Sequence, residues 1–350
     1  MVRKNTGIIA DTARKYGISL YFMTKQFGRN PLVAEAIVES GIDKAVAVDL
    51  DEARVLYKKG IKIGHLGHLV QIPKGAAAEA LDMAPEVITC FGVEKAVEIN
   101  EAARERKKIQ PILLRVVEDH DFIYPCQEGG VKLQNLEITA EKIRKLTHVE
   151  LTGVTSFPCF LFNEESGRIE ATNNAVTVKK AADLLKDMGF NIRQINGPSA
   201  TCASSIPILK AMGITHGEPG HALTGTTPLH AGEGEPEGQA MVYVTEVTHV
   251  FEDRAYVIGG GFYPRSRMQK AYIPSKHLLL DVDDIPLEAI DYYVPVKIGK
   301  NEVEVGDTVI FSFRTQIFVT RAKVALIDGV EKGAPELLGI FNSMGDELTK

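Results

Sequence analysis

Residues 19–31 read Ser19-Leu20-Tyr21-Phe22-Met23-Thr24-Lys25-Gln26-Phe27-Gly28-Arg29-Asn30-Pro31. The first part suits a buried strand, and its last residues break that strand. Alternation along a strand would put Tyr21, Met23 and Lys25 on one face. If this is the first strand of a parallel barrel, Lys25 lies inside the barrel at the C-terminal ends of the strands, where such barrels have their active sites. Burial lowers the pKa of a lysine amine and suits it to nucleophilic attack. The alternative is a lysine that ends a strand and reaches water.

The chain beyond this stretch alternates between strand-like and helix-like patterns. Apolar runs typical of strands lie near residues 19–25, 44–49, 61–66, 86–91, 110–117, 150–157, 193–197 and 213–216. Helical patterns occupy residues 8–16, 31–40, 51–59, 76–83, 93–106, 139–147, 172–188 and 202–212. This alternation predicts an α/β fold, a (β/α)8 TIM barrel, although a doubly wound open sheet alternates in the same way.

The pattern changes after an acidic, glycine-rich connector at residues 231–238. Strand-like runs then dominate, and hairpin-like turns separate them. These runs lie at residues 240–250, 254–258, 294–298, 308–313 and 317–327. We therefore expect a barrel domain over residues 1–235 and a mostly β domain over residues 236–350.

The overall composition excludes several classes of protein. A net charge of −6 over 350 residues gives no support for binding to nucleic acid or to a membrane surface. The apolar runs are too short to span a membrane, and the first residues lack the apolar core of a signal peptide. The four cysteines match no metal or disulfide spacing; they are Cys90, Cys126, Cys159 and Cys202. A cytoplasmic, enzyme-like protein is the simplest interpretation.

Two loops late in the barrel are candidates for binding a phosphate. Residues 215–226 follow the eighth strand, and glycines such as Gly220, beside His221, permit close approach of backbone N–H groups to an anion. Residues 196–205 follow the seventh strand and place Thr201 and Ser204 at a helix start. The alternatives are an ordinary exit loop and ordinary helix caps.

Three residues on central strands are further candidates. His65 and His68 come at the end of the third strand. A spacing of three along a strand would point their rings to opposite faces, and no acidic residue or cysteine is close in sequence, so we expect no metal site. The better interpretation is that one of these two histidines lines the pocket. Arg115, in the fifth strand, must pair either with a structural carboxylate or with an anionic substrate or cofactor.

A lysine closing strand one, a hydroxyl-rich loop after strand seven and a Pro-Gly loop after strand eight, followed by a β domain, resemble one known arrangement. The chain resembles the alanine-racemase-like, fold-type III pyridoxal-phosphate (PLP) proteins. That group includes alanine racemase, ornithine racemase, D-serine dehydratase and uncharacterised racemase-like members. The specific motifs are the run from Thr24 to Pro31 and the loop Glu218-Pro219-Gly220.

The resemblance implies roles for the candidate residues. Lys25 would hold PLP as a Schiff base, and Gly220 and His221 would donate backbone N–H groups to its phosphate, helped by Thr201 or Ser204. Arg115 and His65 complete the implied cofactor site. Glu218 falls where alanine racemase has an arginine facing the pyridine nitrogen. A carboxylate there holds that nitrogen protonated and strengthens the electron sink.

Three departures from alanine racemase affect the expected chemistry. Arg29 replaces a tyrosine and is expected to contact the phosphate. The tyrosine that serves alanine racemase as second base is replaced by a glycine. The candidates for the proton carrier on the second face of the substrate are therefore Tyr263, His65, His221 and Cys159, and Tyr263 is favoured. The family usually carries a strand before its first helix, so the N-terminus is expected to be shortened.

The resemblance predicts a PLP-dependent amino-acid racemase that removes the α-proton of its substrate through Lys25. The alternatives are a PLP-dependent lyase, either a dehydratase or an aldolase, and a PLP-binding protein without turnover. A TIM-barrel hydrolase is disfavoured because no paired carboxylates or metal ligands end the strands. We expect a homodimer with its active site at the subunit interface, and an amino acid as substrate.

Overall fold

The first eight apolar runs form a closed parallel ring. In this computed structural model, which describes residues 1–232, 234–263, 266–286 and 288–349, the first barrel strand is split at Tyr21. Its first half pairs with the last strand, Ser19 opposite His216, and its second half pairs with the second strand, Phe22 opposite Ala45. The barrel strands are Ser19–Leu20 with Phe22–Met23, Lys44–Val46, Lys62–Leu66, Val87–Cys90, Gln110–Val117, Val149–Thr155, Gln194–Asn196 and His216–Gly217. The predicted (β/α)8 barrel is confirmed.

Helices alternate with these strands and cover the outside of the ring. They are Val2–Tyr16, Pro31–Glu39, Leu50–Lys58, Ala77–Asp82, Val93–Glu105, Leu136–Arg144, Asn173–Asp187, Ile206–Ala211 and His221–Thr224. The helix Asn173–Asp187 buries Val178, Ala181, Ala182 and Leu185, as its 3.6-residue period requires. Short strands also occur in the connections, at Val131–Lys132, Phe160–Asn163 and Arg168–Ala171.

The stretch at residues 19–31 changes from strand to helix within a few residues. The strand stops at Met23, so the predicted strand 19–25 is two residues too long, and Lys25–Phe27 form a 3-10 turn. Asn30 then caps the next helix, because its Oδ1 accepts hydrogen bonds from the N–H groups of Leu32 (3.0 Å) and Val33 (3.2 Å). Pro31 opens that helix, where its missing N–H costs nothing.

The second part of the chain is an antiparallel β barrel followed by a small sheet. In order around the closed barrel, the strands are Tyr243–Phe251, Arg254–Ile258, Tyr293–Lys297, Leu278–Val282, Lys270–Ile273 and Thr308–Phe311. Alternate residues such as Ala271 and Ile273 point into an apolar interior. The small sheet consists of Val324–Asp328, Glu336–Phe341 and Glu347–Thr349. The predicted run 317–327 is wrong as one strand, because Ile317–Val319 form a 3-10 turn.

Across the residues that the structure describes, every helix is either too short or too polar to cross a lipid bilayer.

Candidate active site at the barrel mouth

The turn that carries Lys25 is held by the helix after the second barrel strand. The Thr24 hydroxyl donates a hydrogen bond to the carboxylate of Glu52, and Arg29 Nη2 donates to Asp49 Oδ2 at 2.7 Å. Both acids lie at the start of the helix Leu50–Lys58. The two contacts therefore fix the turn on either side of Lys25.

Glu52 is a buried residue that the sequence analysis missed. Its side chain is fully buried and accepts a second hydrogen bond from the N–H of Val48, while Asp49 Oδ1 accepts from the N–H of Glu52 at 2.8 Å. Burial raises the pKa of Glu52, against the effect of its hydrogen bonds. The pattern Asp-x-x-Glu before an apolar run is a capping-box signal that predicts this helix start but not its contact with Thr24.

The Lys25 turn also packs against the C-terminal sheet. Gly28 is left-handed (φ 68°), and a Cβ there would lie 2.9 Å from Ile317 Cγ2 and 3.2 Å from Ser343 O, so only glycine fits. Arg29 is left-handed as well (φ 56°) and lies over the Phe318 ring at 5.7 Å. The guanidinium of Arg29 faces Asp49 and the Phe318 ring, its Nε has no hydrogen-bond partner among the described residues, and its expected contact with the phosphate stays a prediction.

Glu218 lies at the centre of a buried hydrogen-bond network. His65 Nδ1 lies 2.7 Å from Glu218 Oε1, and Asn196 Nδ2 donates to the same oxygen at 3.0 Å. The other nitrogen of His65 lies 2.6 Å from the hydroxyl of Thr89. Burial opposes the charge of Glu218, but His68, His65 and Asn196 outweigh it and lower the pKa of the carboxyl to about 2. The carboxylate is therefore charged at neutral pH.

His68 lies on the same side as His65, so the expectation of opposite faces is wrong. The third barrel strand ends at Leu66, and Gly67 is left-handed (φ 77°), which turns the chain back. The two rings are 4.9 Å apart, and His68 Nε2 lies 3.7 Å from Glu218 Oε2. The acidic neighbour that is absent from the local sequence comes from the loop after the eighth strand.

Arg115 is fully buried in the fifth barrel strand, and it forms no ion pair with a carboxylate among the residues that the structure describes. Its Nη2 donates to the carbonyl oxygen of Gln127 at 2.7 Å, and its guanidinium lies 4.7 Å from the centre of the Phe91 ring. Its Nε has no hydrogen-bond partner among the described residues. Burial lowers the pKa of Arg115, which Glu128 opposes at longer range. A buried cation with an unused donor suits an anionic ligand.

The loops after the seventh and eighth strands meet beside the Lys25 turn. Met23 donates its N–H to the carbonyl of Pro219 at 2.9 Å, and the N–H of Glu218 donates to Thr201 Oγ1 at 3.0 Å. A Cβ on Gly220 would lie 2.5 Å from Gln26 Nε2, so the backbone there approaches closely because the residue is glycine. The structure thus brings Lys25, Thr201, Glu218 and Gly220 to one end of the barrel.

The loop after the seventh strand has a strained backbone that the sequence did not reveal. Ser199 (φ 86°) and Ala200 (φ 52°) are consecutive non-glycine residues with left-handed conformations, each of which costs about 1–3 kcal/mol. Such strain is found at functional sites such as ligand-binding loops. Thr201 follows directly and is buried.

Ser204 and the connector contact each other. Ser204 is exposed and its hydroxyl donates to Glu235 Oε2 at 2.8 Å, while the N–H of Ala203 donates to Glu237 Oε1 at 2.8 Å. Connector carboxylates already occupy these donors. Of the two hydroxyls expected at the phosphate, the geometry favours Thr201 over Ser204.

The candidates for a second proton carrier differ in their surroundings. Cys159 is buried and its Sγ donates to the carbonyl of Ser156 at 3.4 Å; burial raises its thiol pKa, which does not suit a base. His221 Nδ1 lies 3.3 Å from Gln26 Nε2, beside the Lys25 turn. Tyr263 is in the β domain and 9% exposed, and the two residues after it lie outside the described part of the chain.

Comparisons with known proteins agree with this arrangement. The family model "Alanine racemase, N-terminal domain" matches residues 1–228, and "YhfX-like, C-terminal domain" matches residues 242–337. The chain is 42% identical to the uncharacterized protein YhfX of Escherichia coli K12 over 354 aligned positions, which cover 99% of this chain and 90% of the relative.

Solved structures share the fold at low identity. Alanine racemase of Clostridium difficile 630 has a TM-score of 0.62 and 19% identity, over 88% of this chain and 83% of that one. D-threonine aldolase from Filomicrobium marinum has a TM-score of 0.75 and 13% identity, over 98% and 92%. D-threo-3-hydroxyaspartate dehydratase from Delftia sp. HT23 has a TM-score of 0.68 and 14% identity, over 90% and 88%. The chain belongs to the alanine-racemase-like, fold-type III pyridoxal-phosphate proteins.

Proposed function

We propose that this protein is a PLP-dependent amino-acid racemase that binds its cofactor through Lys25. The observation that supports the proposal best is the buried, charged Glu218 next to the Lys25 turn. The surrounding residues fit the cofactor. Glu218 Oε2 and Arg115 Nε are buried polar atoms without hydrogen-bond partners among the described residues, and a Cβ on Gly220 would lie 2.5 Å from the Gln26 amide, so that loop packs closely against the Lys25 turn.

Each group has a role that its chemistry supports. PLP, when bound, accepts the electron pair released at the α-carbon of an amino acid. Lys25 would hold the cofactor covalently, and its amine, once displaced by the amino group of the substrate, would accept the α-proton. Glu218 would accept a hydrogen bond from the ring nitrogen of the cofactor through its unpartnered Oε2, and its charge would keep that nitrogen protonated. Residues 199–201 and Gly220 bind the phosphate, and Arg115 donates from Nε to an anionic oxygen.

A racemase also needs a proton carrier on the second face of the substrate. We propose Tyr263 of the partner subunit in a homodimer for this role. Mixing inactive Lys25→Ala and Tyr263→Phe chains tests it, because a hybrid dimer would contain one intact site. Activity that returns on mixing supports a shared site, whereas unchanged inactivity of the mixture argues against it.

The second candidate function is a PLP-dependent lyase, either a dehydratase or an aldolase. The charge of Glu218 favours it, since a strong electron sink supports β-elimination and retro-aldol cleavage as well as racemisation. An aldolase and a dehydratase are among the proteins with a similar fold. The pocket residues described above are compatible with either reaction.

One experiment separates these functions. The PLP-loaded protein is incubated in deuterated water with a panel of D- and L-amino acids, and α-deuterium, enantiomer ratio, keto acid and aldehyde are measured. Deuterium in both enantiomers without keto acid identifies a racemase, and keto acid or aldehyde release identifies a lyase. PLP bound without either reaction would contradict an enzymatic role. Lys25→Ala is the control that should abolish every signal.

A further inference from the structure

His68 is buried at the site without the hydrogen bonds that its ring requires. Its side chain has no exposed surface, and both ring nitrogens lack a partner among the residues that the structure describes. The separation of 3.7 Å between His68 Nε2 and Glu218 Oε2 is too long for a hydrogen bond. Buried polar groups in proteins are nearly always hydrogen-bonded, so this ring requires an explanation.

Comparison with His65 shows that both nitrogens of an imidazole can be hydrogen-bonded in these surroundings. Both nitrogens of His65 have oxygen partners, Glu218 on one side and Thr89 on the other. His68 instead contacts rings: His65 at 4.9 Å and the edge of Phe157 at 5.7 Å between centroids. Packing therefore orients His68, and its polar atoms remain available beside the carboxylate of Glu218.

The electrostatic environment makes His68 a neutral donor and acceptor. Burial is the largest influence and lowers its pKa to about 3, and the charges of His65, Arg115 and Lys25 act in the same direction. Only Glu218 opposes them. A neutral imidazole carries one N–H donor and one acceptor nitrogen, so it can make two hydrogen bonds to a bound molecule.

We infer that His68 is a further catalytic residue, which contacts the bound cofactor or amino acid through Nδ1. Because Nε2 faces the carboxylate of Glu218, the tautomer with hydrogen on Nε2 is favoured, which leaves Nδ1 as the acceptor. This inference rests on the proposed PLP site. A residue that only packed against Phe157 would need no nitrogen at all, and that difference is measurable.

The first test measures thermal unfolding of the full-length chain without added PLP. His68→Phe keeps a ring beside Phe157 but removes the unpartnered nitrogens. His68→Leu also removes these nitrogens and has a smaller side chain. We expect at least one of them to raise the unfolding temperature, because it removes an unsatisfied buried polar group. His216→Phe is the matched control. It removes a nitrogen that already lies 2.8 Å from Thr215 Oγ1, so it should lower that temperature. If both His68 variants lower it as well, His68 is structural and the inference is overturned.

The second test titrates the same proteins with PLP. His68→Phe and His68→Leu should weaken PLP binding about tenfold, the effect of losing a ligand hydrogen bond, and His68→Gln should recover part of it. In protein labelled with 15N-histidine, the ring signals of His68 should shift on addition of PLP, and those of His216 should not. Equal PLP affinity in all variants with unshifted His68 signals would overturn the inference while the proposed function stands. A wild-type protein that binds no PLP would overturn the proposed function and this inference with it.

Discussion

Replacing Glu218 by glutamine tests whether a buried charge organises the site. The substitution keeps the shape and one acceptor oxygen but removes the charge to which His65 and Asn196 are hydrogen-bonded. Because His68 is neutral at pH 7, the hydrogen bonds from His65 and Asn196 are what stabilise the carboxylate there, and a hydrogen bond to a charged group contributes about 1.5–3 kcal/mol. We therefore expect Glu218→Gln to lower the free energy of unfolding by about 2 kcal/mol at pH 7.

The pH dependence of this loss has a definite sign. Because the pKa of Glu218 is lower in the folded chain than in the unfolded chain, its contribution is complete above pH 4.5 and disappears as the pH falls towards 2. Wild-type and variant stabilities should therefore converge across that range. The chain has no tryptophan, so unfolding in urea is best followed by circular dichroism.

The matched control is Glu150→Gln, in an exposed pair with Arg193 at 3.0 Å. Surface pairs of this kind contribute at most about 1 kcal/mol, so the control should change little. A loss in Glu218→Gln no larger than in Glu150→Gln would refute the reasoning. A difference from wild type that persists unchanged near pH 2 would refute it as well.

Two further substitutions test how the site is supported. Arg29→Met leaves Asp49 without its partner in a pair whose side chains are 3% and 26% exposed, and should destabilise the protein by about 2 kcal/mol in thermal unfolding and weaken PLP binding. Arg3→Met, in an exposed pair with Glu39, is the control, and equal effects of the two would contradict the role of the Arg29–Asp49 pair in fixing the Lys25 turn. Gly220→Ala places a Cβ 2.5 Å from Gln26 Nε2 and should weaken PLP binding severalfold in an absorbance titration. Gly75→Ala, with no atom within 4 Å, should bind normally, and equal affinity of both variants would reject the close-approach argument.

The barrel could be predicted because its strands and helices are encoded locally. Apolar runs such as residues 110–117 match the strand Gln110–Val117, and the period of residues 172–188 matches the helix Asn173–Asp187. The strands Lys270–Ile273 and Leu278–Val282 were not predicted, because they are short and because charged residues such as Lys270 and Asp281 weaken their apolar pattern.

The site was predicted only in part, because backbone turns and long-range contacts complete it. The position of His68 depends on the left-handed Gly67, which a strand pattern cannot show. Arg29 was expected at the phosphate, but local sequence does not reveal that Asp49 and the C-terminal sheet face it. Lys25 and Glu218 were assigned from short motifs, each contained within a single loop, so these assignments did not depend on long-range contacts.

The most direct measurement of the central claim is the site of covalent attachment of PLP. The full-length protein is loaded with PLP, reduced with borohydride and digested, and the modified peptide is located by mass spectrometry. Our account predicts a pyridoxyl group on Lys25, with a yellow protein before reduction and neither signal in Lys25→Ala. A label on another lysine, or a wild-type protein that stays colourless and unlabelled with PLP, would contradict it.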